Sequence, residues 1–188
     1  LQTLKNFHLP VYFYAIAAML FWGLSFIWSS ILLQYYQPVT IILTRLVISS
    51  VFLFAIIRFF TKREVILRKD YKLILLSAVF NPFLYFLGEN WGLKFSTPTI
   101  SSVVIATIPV FSPVVAYLTL REKLAPVNFI GIGVSFAGVV IMLAGKYLVL
   151  EADIRGVLAL SGAVLAALFY SVMLKRLTSR YSALTLIA

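Results

Sequence analysis

The chain is predicted to be an all-α, polytopic transmembrane helix bundle, and three observations predict it. Of its 188 residues, 62% are hydrophobic and only 12% are charged, against roughly 25% charged in a soluble domain. The apolar residues gather into runs of about bilayer length. Those runs are continuous, where membrane strands would be shorter and would alternate apolar with polar.

Taken in order, the first run is Val11–Leu33, 23 residues without a charge. It is too long for the apolar part of a signal peptide, and no small-x-small cleavage site follows it. Val39–Ile57 is 19 residues long and contains Arg45; Leu73–Leu93 is 21 and carries Glu89 near its end. Pro98–Leu120, Pro126–Gly145 and Gly156–Leu174, of 23, 20 and 19 residues, are uncharged. A seventh span is expected to begin near Ala183. Connections are short, which makes neighbouring helices antiparallel. Gln34-Tyr35-Tyr36-Gln37-Pro38 reads as a turn with aromatics at headgroup depth. Ser96-Thr97-Pro98 places a hydroxyl cap before a proline at the first helical position, and Leu124-Ala125-Pro126 opens the fifth helix similarly. The chain begins with Leu1 and ends inside the apolar stretch Leu184–Ala188, so both ends are expected to be cut from a longer protein.

The net charge of +10 would suggest nucleic acid in a soluble protein. Alternating the loops across a bilayer gives it another meaning. One side collects Lys5, Arg58, Lys62, Arg63, Arg68, Lys69, Lys72, Arg121, Lys123, Lys175, Arg176 and Arg180; the other holds Lys94, Lys146 and Arg155. Twelve against three is a positive-inside signal that places the N-terminus in the cytoplasm. The charge is thus accounted for by topology, and no nucleic-acid partner is expected.

A shift of 145 residues overlays the first span on the sixth, with Ala18 on Ala163, Leu20 on Leu165, Leu32 on Leu177, Tyr36 on Tyr181, Thr40 on Thr185 and Ile42 on Ile187. Five spans separate the copies, and an odd number inverts the second. Inverted repeats are an architecture of secondary transporters, with the substrate site near the midplane. Residues 1–145 are therefore expected to form a first five-helix repeat. Residues 146–188 would then hold the first helix of a second.

Several catalytic chemistries lack their parts. There is no cysteine, and the single histidine, His8, precedes the first span, where a headgroup or solvated role is expected. An intramembrane serine protease would need a base near its serine, and a metalloprotease a His-Glu-x-x-His motif. No metal or cofactor is expected, and no glycine-rich phosphate loop suggests ATP-driven transport. A channel or a structural membrane subunit is the alternative to a transporter, with an intramembrane enzyme behind both. A channel would usually show a filter-like segment or charged rings.

Several motifs, in their order and spacing, carry a family resemblance: Phe21-Trp22-Gly23; Pro38 followed by Arg45; Glu89-Asn90-Trp91-Gly92-Leu93-Lys94-Phe95-Ser96-Thr97, leading through Ser101-Ser102 to Pro109-Val110-Phe111; Arg121-Glu122-Lys123-Leu124; and Gly131-Ile132-Gly133-Val134-Ser135-Phe136-Ala137-Gly138-Val139. Across essentially its whole length the chain resembles the EamA-like family of the drug/metabolite transporter superfamily. The resemblance implies ten helices in two inverted repeats, residence in a bacterial inner membrane, and export or exchange of small organic metabolites, amino acids or similar. The chain departs by stopping after six helices. It also carries Arg121 where the family more often has glycine before the acidic residue.

Ionisable residues inside spans suggest function by default. Arg45 lies seven residues after Pro38, about 10 Å along the helix, and Glu89 lies five residues before Lys94, at comparable depth. Three readings stay open: a neutralising pair that orients helices two and three; a cavity lining in which Glu89 takes a proton or Arg45 holds a carboxylate; or snorkelling of one of them to the interface. Asn81, Tyr85 and Glu89, four residues apart, are expected on one face, with Pro82 kinking the helix at Asn81. Trp22 and Ser25 share a face of the first helix with Ala18 and Ser29. Trp22 is either packing or a stacking wall, and Tyr170, the repeat partner of Ser25, is a candidate for the opposite wall. On the fourth helix Ser102 shares a face with Ala106, Pro109 and Pro113, whose two prolines imply a bend, static or gating. Gly131, Ser135 and Gly138, and likewise Ala159, Ala163 and Ala167 with Gly162 and Ala166, are expected to permit close helix contact. Glu122 is expected to make local ion pairs. The expected partners are a small-molecule substrate, the lipid bilayer, and a proton or counter-substrate.

Overall fold

The computed structural model describes residues 9–60, 64–121, 126–143, 153–182 and 185–186. His8, Glu122, Lys123, Leu124, Ala125, Lys146 and most of the expected seventh span lie outside the described residues. Among the described residues, six helices carry the fold. They are α1 (Leu9–Leu32), α2 (Pro38–Phe60), α3 (Arg68–Lys94), α4 (Pro98–Leu120), α5 (Pro126–Leu143) and α6 (Ile154–Thr178). Five are long and apolar enough to cross a membrane; in α5 the corresponding apolar stretch, Phe129–Gly138, is shorter. The large apolar side chains on the outer faces, such as Phe21, Val51 and Phe52, are about two-thirds exposed. That is the surface a bilayer requires and water forbids.

The expected boundaries follow from local chemistry. Pro38, Pro98 and Pro126 each open a helix where a missing N–H costs nothing. The Thr97 hydroxyl accepts from the Ile100 backbone N–H at 3.3 Å, which caps α4. Asp153 caps α6 by accepting from the Arg155 N–H at 2.9 Å while its other oxygen holds the Arg155 guanidinium. The Arg155 side chain and backbone together hold the Asp153 carboxyl below its ordinary range.

Two helices are broken, both near prolines. In α3 a π-helical segment, Val79–Leu84, separates Tyr71–Ala78 from Tyr85–Lys94, and Asn81 is non-helical (φ −143°, ψ 120°). The kink expected at Asn81 is therefore present. In α4 the helix lapses at Ala106 and Thr107, between Pro98–Ile105 and Ile108–Leu120. Pro109 cannot donate to the Ile105 carbonyl, and its ring crowds that carbonyl, so the break lies just ahead of it. The Thr107 hydroxyl and backbone N–H both turn to the Val104 carbonyl, at 2.6 and 3.1 Å. Pro113 lies inside the second segment without interrupting it. The bend thus belongs to Pro109 and not to the pair.

The core forms where α3 and α6 cross. Leu160 and Ala163 of α6 are fully buried, and Phe26, Tyr85, Ile105, Ala167 and Leu168 pack around them. Small residues set the spacing. A Cβ added at Gly88 would meet the Ala159 carbonyl oxygen at 2.6 Å and the Ala163 Cβ at 3.0 Å; one at Gly156 would meet the Phe95 carbonyl oxygen at 2.9 Å. The close contact expected of Ala159 and Ala163 is therefore made, and α3 is its partner. Gly162 and the α5 glycines Gly131, Gly133 and Gly138 behave otherwise, because a Cβ at any of them would meet nothing within 4 Å. No neighbour fills that side of α5 among the described residues.

Beyond the membrane-spanning segments a clamp joins chain positions 110 residues apart. Asp70 holds Arg180 at 3.0 Å and accepts from the Tyr181 hydroxyl at 2.8 Å; that hydroxyl accepts from the Leu67 backbone N–H at 3.0 Å. Glu64 accepts from the Ser182 N–H at 2.9 Å, and this N–H holds the Glu64 carboxyl below its ordinary range. The clamp fixes the end of α6 against the start of α3.

Arg121 ends α4 with φ 53° and ψ 32°, in the left-handed region. A non-glycine residue there costs about 1–2 kcal/mol. This is the position at which the chain departs from the glycine expected by resemblance. Arg121→Gly is expected to raise the melting temperature in detergent slightly. The gain is held to roughly 1 kcal/mol or less by glycine's larger unfolded-state freedom. A lower melting temperature would show that the arginine side chain contributes more than its backbone costs.

Candidate functional site

The polar chemistry concentrates on the second half of α3 and the facing parts of α1 and α2. Beyond the break at Asn81, α3 resumes as a regular helix, and its inward face brings Tyr85 and Glu89 to 4% and 1% exposure. Asn90, adjacent, is also 1% exposed. The Tyr85 hydroxyl, Glu89 Oε2 and Asn90 Oδ1 have no hydrogen-bond partner among the described residues, while Asn90 Nδ2 donates to the Phe86 carbonyl at 2.9 Å. Three buried polar side chains with unmet capacity in consecutive turns are costly in an apolar medium. Trp22, half-buried on α1, packs against the core beside Tyr85.

Arg45 reaches this group from α2. Its guanidinium carbon lies 4.2 Å from the centre of the Phe86 ring, three residues before Glu89 on α3. The placement is a cation–π contact. The direct Arg45–Glu89 ion pair, one of the three readings, is not formed, since the two ion pairs seen among the described residues join other side chains. Arg45 instead seats its guanidinium over the Phe86 ring.

Between α1 and α2 opens a cleft of about 610 Å³, with Arg45 in its wall. Ser25 and Ser29 contribute from α1, and Thr40, Thr44 and Ser49 from α2; Trp28, Ile41 and Ile48 supply apolar surface. The Ser25 hydroxyl donates to the Trp22 carbonyl at 2.6 Å and the Thr44 hydroxyl to the Thr40 carbonyl at 2.9 Å. Their protons are committed to their own helices, and their lone pairs face outward.

Of the sequence candidates, the structure gathers Trp22, Tyr85, Glu89 and Arg45 into one neighbourhood, with Ser25 at the adjoining cleft. It does not gather the rest. Asn81 is half-buried, and its non-helical backbone interrupts the regular four-residue register with Tyr85 and Glu89. Ser102 donates to the Thr99 carbonyl of its own helix at 2.9 Å and lies outside the cleft. Tyr170 is half-buried on α6, also away from the cleft. Sequence reasoning passed over Asn90, Thr44 and Ser49 as site residues. Asn90 stands beside Glu89 in the motif already noted. Thr40 and Thr44, four residues apart on the helix that carries Arg45, were a readable signal.

The chain is also similar in sequence to known proteins. The sequence profile of the EamA-like transporter family matches residues 9–144. An uncharacterized transporter of Archaeoglobus fulgidus is 30% identical over 166 residues, covering 88% of this chain and 58% of that protein. The uncharacterized transporter YcxC of Bacillus subtilis is 29% identical over 178 residues, covering 94% and 57%. One from Methanothermobacter thermautotrophicus is 31% identical, covering 85% and 50%. The chain thus spans between half and three-fifths of the length of these relatives. No solved structure matches it.

Proposed function

The chain belongs to the EamA-like transporter family, and from that premise we propose that it forms part of a secondary transporter that moves small organic metabolites, such as amino acids, outward or in exchange. One observation carries the reading further than family membership. Glu89, an ionisable residue within an apolar span, is 1% exposed and has an oxygen without a partner. A group so costly in lipid is retained where it meets a substrate or a proton.

Transport proceeds by alternating access, one repeat rocking against the other. Residues 1–145 supply the first repeat and residues 146–188 the start of the second. The Arg45–Tyr85–Glu89 neighbourhood lies on the substrate path, with Trp22 and Ser25 in its wall and Asn81, Ser102 and Tyr170 nearer the second half. The break before Pro109 is the flexible point of a gate. The basic loops face the cytoplasm of a bacterial inner membrane, as does the N-terminus. Coupling runs through a proton on Glu89 or through a counter-substrate.

Counterflow tests the reading. Proteoliposomes are loaded with an unlabelled amino-acid mixture, and the same mixture, radiolabelled, is supplied outside. A carrier accelerates label entry when the inside is loaded, and the label is recovered unchanged. Entry indifferent to loading indicates a channel, and chemically altered label indicates an enzyme.

A further inference from the structure

We propose that the cleft between α1 and α2 is a binding site for a small organic carboxylate whose charge is held by Arg45; this rests on, and narrows, the transport reading. Arg45 lies within an apolar span, about 10 Å along the helix from Pro38 at helical rise. Among the described residues its guanidinium has a ring contact with Phe86 and no hydrogen bond or ion pair. A guanidinium presents five donors in a planar fork that matches a carboxylate. Seating it on an aromatic face satisfies its charge in part and leaves the edge donors unused. Arg45 lines the 610 Å³ cleft.

The rest of the lining sorts the ligand further. Ser25 and Thr44 have spent their protons on backbone carbonyls, so the surface near Arg45 offers lone pairs to a polar substituent but no competing cation. Trp28 and Ile48 make the remaining wall apolar. A carboxylate on a small aromatic or aliphatic body fits both halves. The other charged group facing Arg45 is Glu89, on the turn of α3 beyond Phe86. Among the described residues the two form no ion pair, so an incoming carboxylate meets Arg45 without displacing one. A lipid phosphate is also an oxyanion, but the hydroxyl-lined walls on both helices suit a soluble ligand better than a headgroup with two chains.

The test measures equilibrium binding of labelled benzoate, and of its neutral analogue benzamide, to the protein in phosphatidylcholine nanodiscs. Benzoate is expected to bind saturably and at least about tenfold more tightly than benzamide, the scale of a charge-assisted bidentate contact. Arg45→Gln should remove that preference and leave benzamide binding as it was. Arg45→Lys, which keeps the charge but loses the fork, should retain part of it and guards against a folding artefact, as does a monodisperse elution profile. Equal affinity for the two probes, or an Arg45→Gln variant that still prefers benzoate, overturns the carboxylate site, and counterflow then stands or falls separately. A third arm adds phosphatidylglycerol. If that lipid abolishes benzoate binding and co-purifies only when Arg45 is present, the oxyanion is a headgroup and the proposal is wrong. Benzoate binding that depends on Arg45 in a protein without counterflow would keep the site and discard transport.

Discussion

Gly88→Val is expected to eliminate the folded, monodisperse protein from detergent extracts, while Gly162→Val leaves its yield and melting temperature nearly unchanged. Both substitutions place the same β-branched side chain in the middle of an apolar helix, so the loss of helix propensity is similar in the two. They differ in what the new Cβ meets. At Gly88 it falls 2.6 Å from the Ala159 carbonyl oxygen and 3.0 Å from the Ala163 backbone nitrogen, and at Gly162 it meets nothing within 4 Å. The obstacle at Gly88 is backbone, which cannot rotate aside, so α3 and α6 must separate along their crossing. Overpacking commonly costs about 1–3 kcal/mol when flexible side chains can yield. Here the crossing is also the core, holding Leu160, Ala163 and Tyr85, so parting it loses packing along several turns. Membrane helices have little hydrophobic force to draw them back together. Gly92 is a useful intermediate. Its added Cβ would meet chiefly the Leu160 side chain, with the Leu160 backbone nitrogen farther off at 3.2 Å, and a side chain can yield where backbone cannot. Gly92→Ala should therefore lower the melting temperature less than Gly88→Ala does. Fluorescence-detected size exclusion across a temperature series measures all of these. Equal behaviour of the Gly88 and Gly162 variants would mean that the close crossing does not support the fold.

This contrast shows what a single sequence can carry. Ala159 and Ala163 were recognisable as a small-residue row, and so were Gly131, Ser135 and Gly138. Spacing alone could not say which row had a partner, because a small face permits approach without specifying what approaches. Helix positions were more readable, since Pro38, Pro98 and Pro126 act through their own backbone and need no neighbour. The kink at Asn81 was legible for the same reason, but its consequence was not. A four-residue spacing presumes an unbroken helix, and the backbone at Asn81 is non-helical.

The site was legible in depth and not in direction. Arg45 and Glu89 could be assigned similar depths from Pro38 and Lys94 by counting residues. Which side chain Arg45 meets on α3 depends on the rotation of the helices about their axes, which no count supplies, and it meets the Phe86 ring. The Asp70–Tyr181 clamp was invisible for a related reason. Its partners are polar groups 111 residues apart, and polar loop residues carry no periodicity that marks a mate.

Glu89→Gln is expected to leave exchange intact and to abolish pH-driven accumulation. The substitution keeps the shape of a side chain that is 1% exposed and tightly surrounded, so packing and counterflow should persist. It removes the capacity to take and release a proton within the span, the one function that an amide cannot imitate. If a proton on Glu89 moves with the substrate cycle, each pH unit across the membrane contributes about 1.4 kcal/mol per proton, or roughly tenfold accumulation. Wild-type proteoliposomes with a two-unit gradient should then concentrate solute on the order of a hundredfold in the absence of leak, and the glutamine variant should only equilibrate it. Arg45→Gln separates the roles. It should weaken handling of carboxylates but leave the gradient response of any solute that still binds, because the proton would sit on α3 and the anion on α2. The outcomes therefore divide the mechanism. A variant with counterflow and no gradient response assigns coupling to Glu89. A variant whose accumulation still follows pH removes Glu89 from coupling and leaves it a substrate contact. Loss of counterflow together with accumulation, in a protein that still elutes as a single species, would make Glu89 part of the binding site itself.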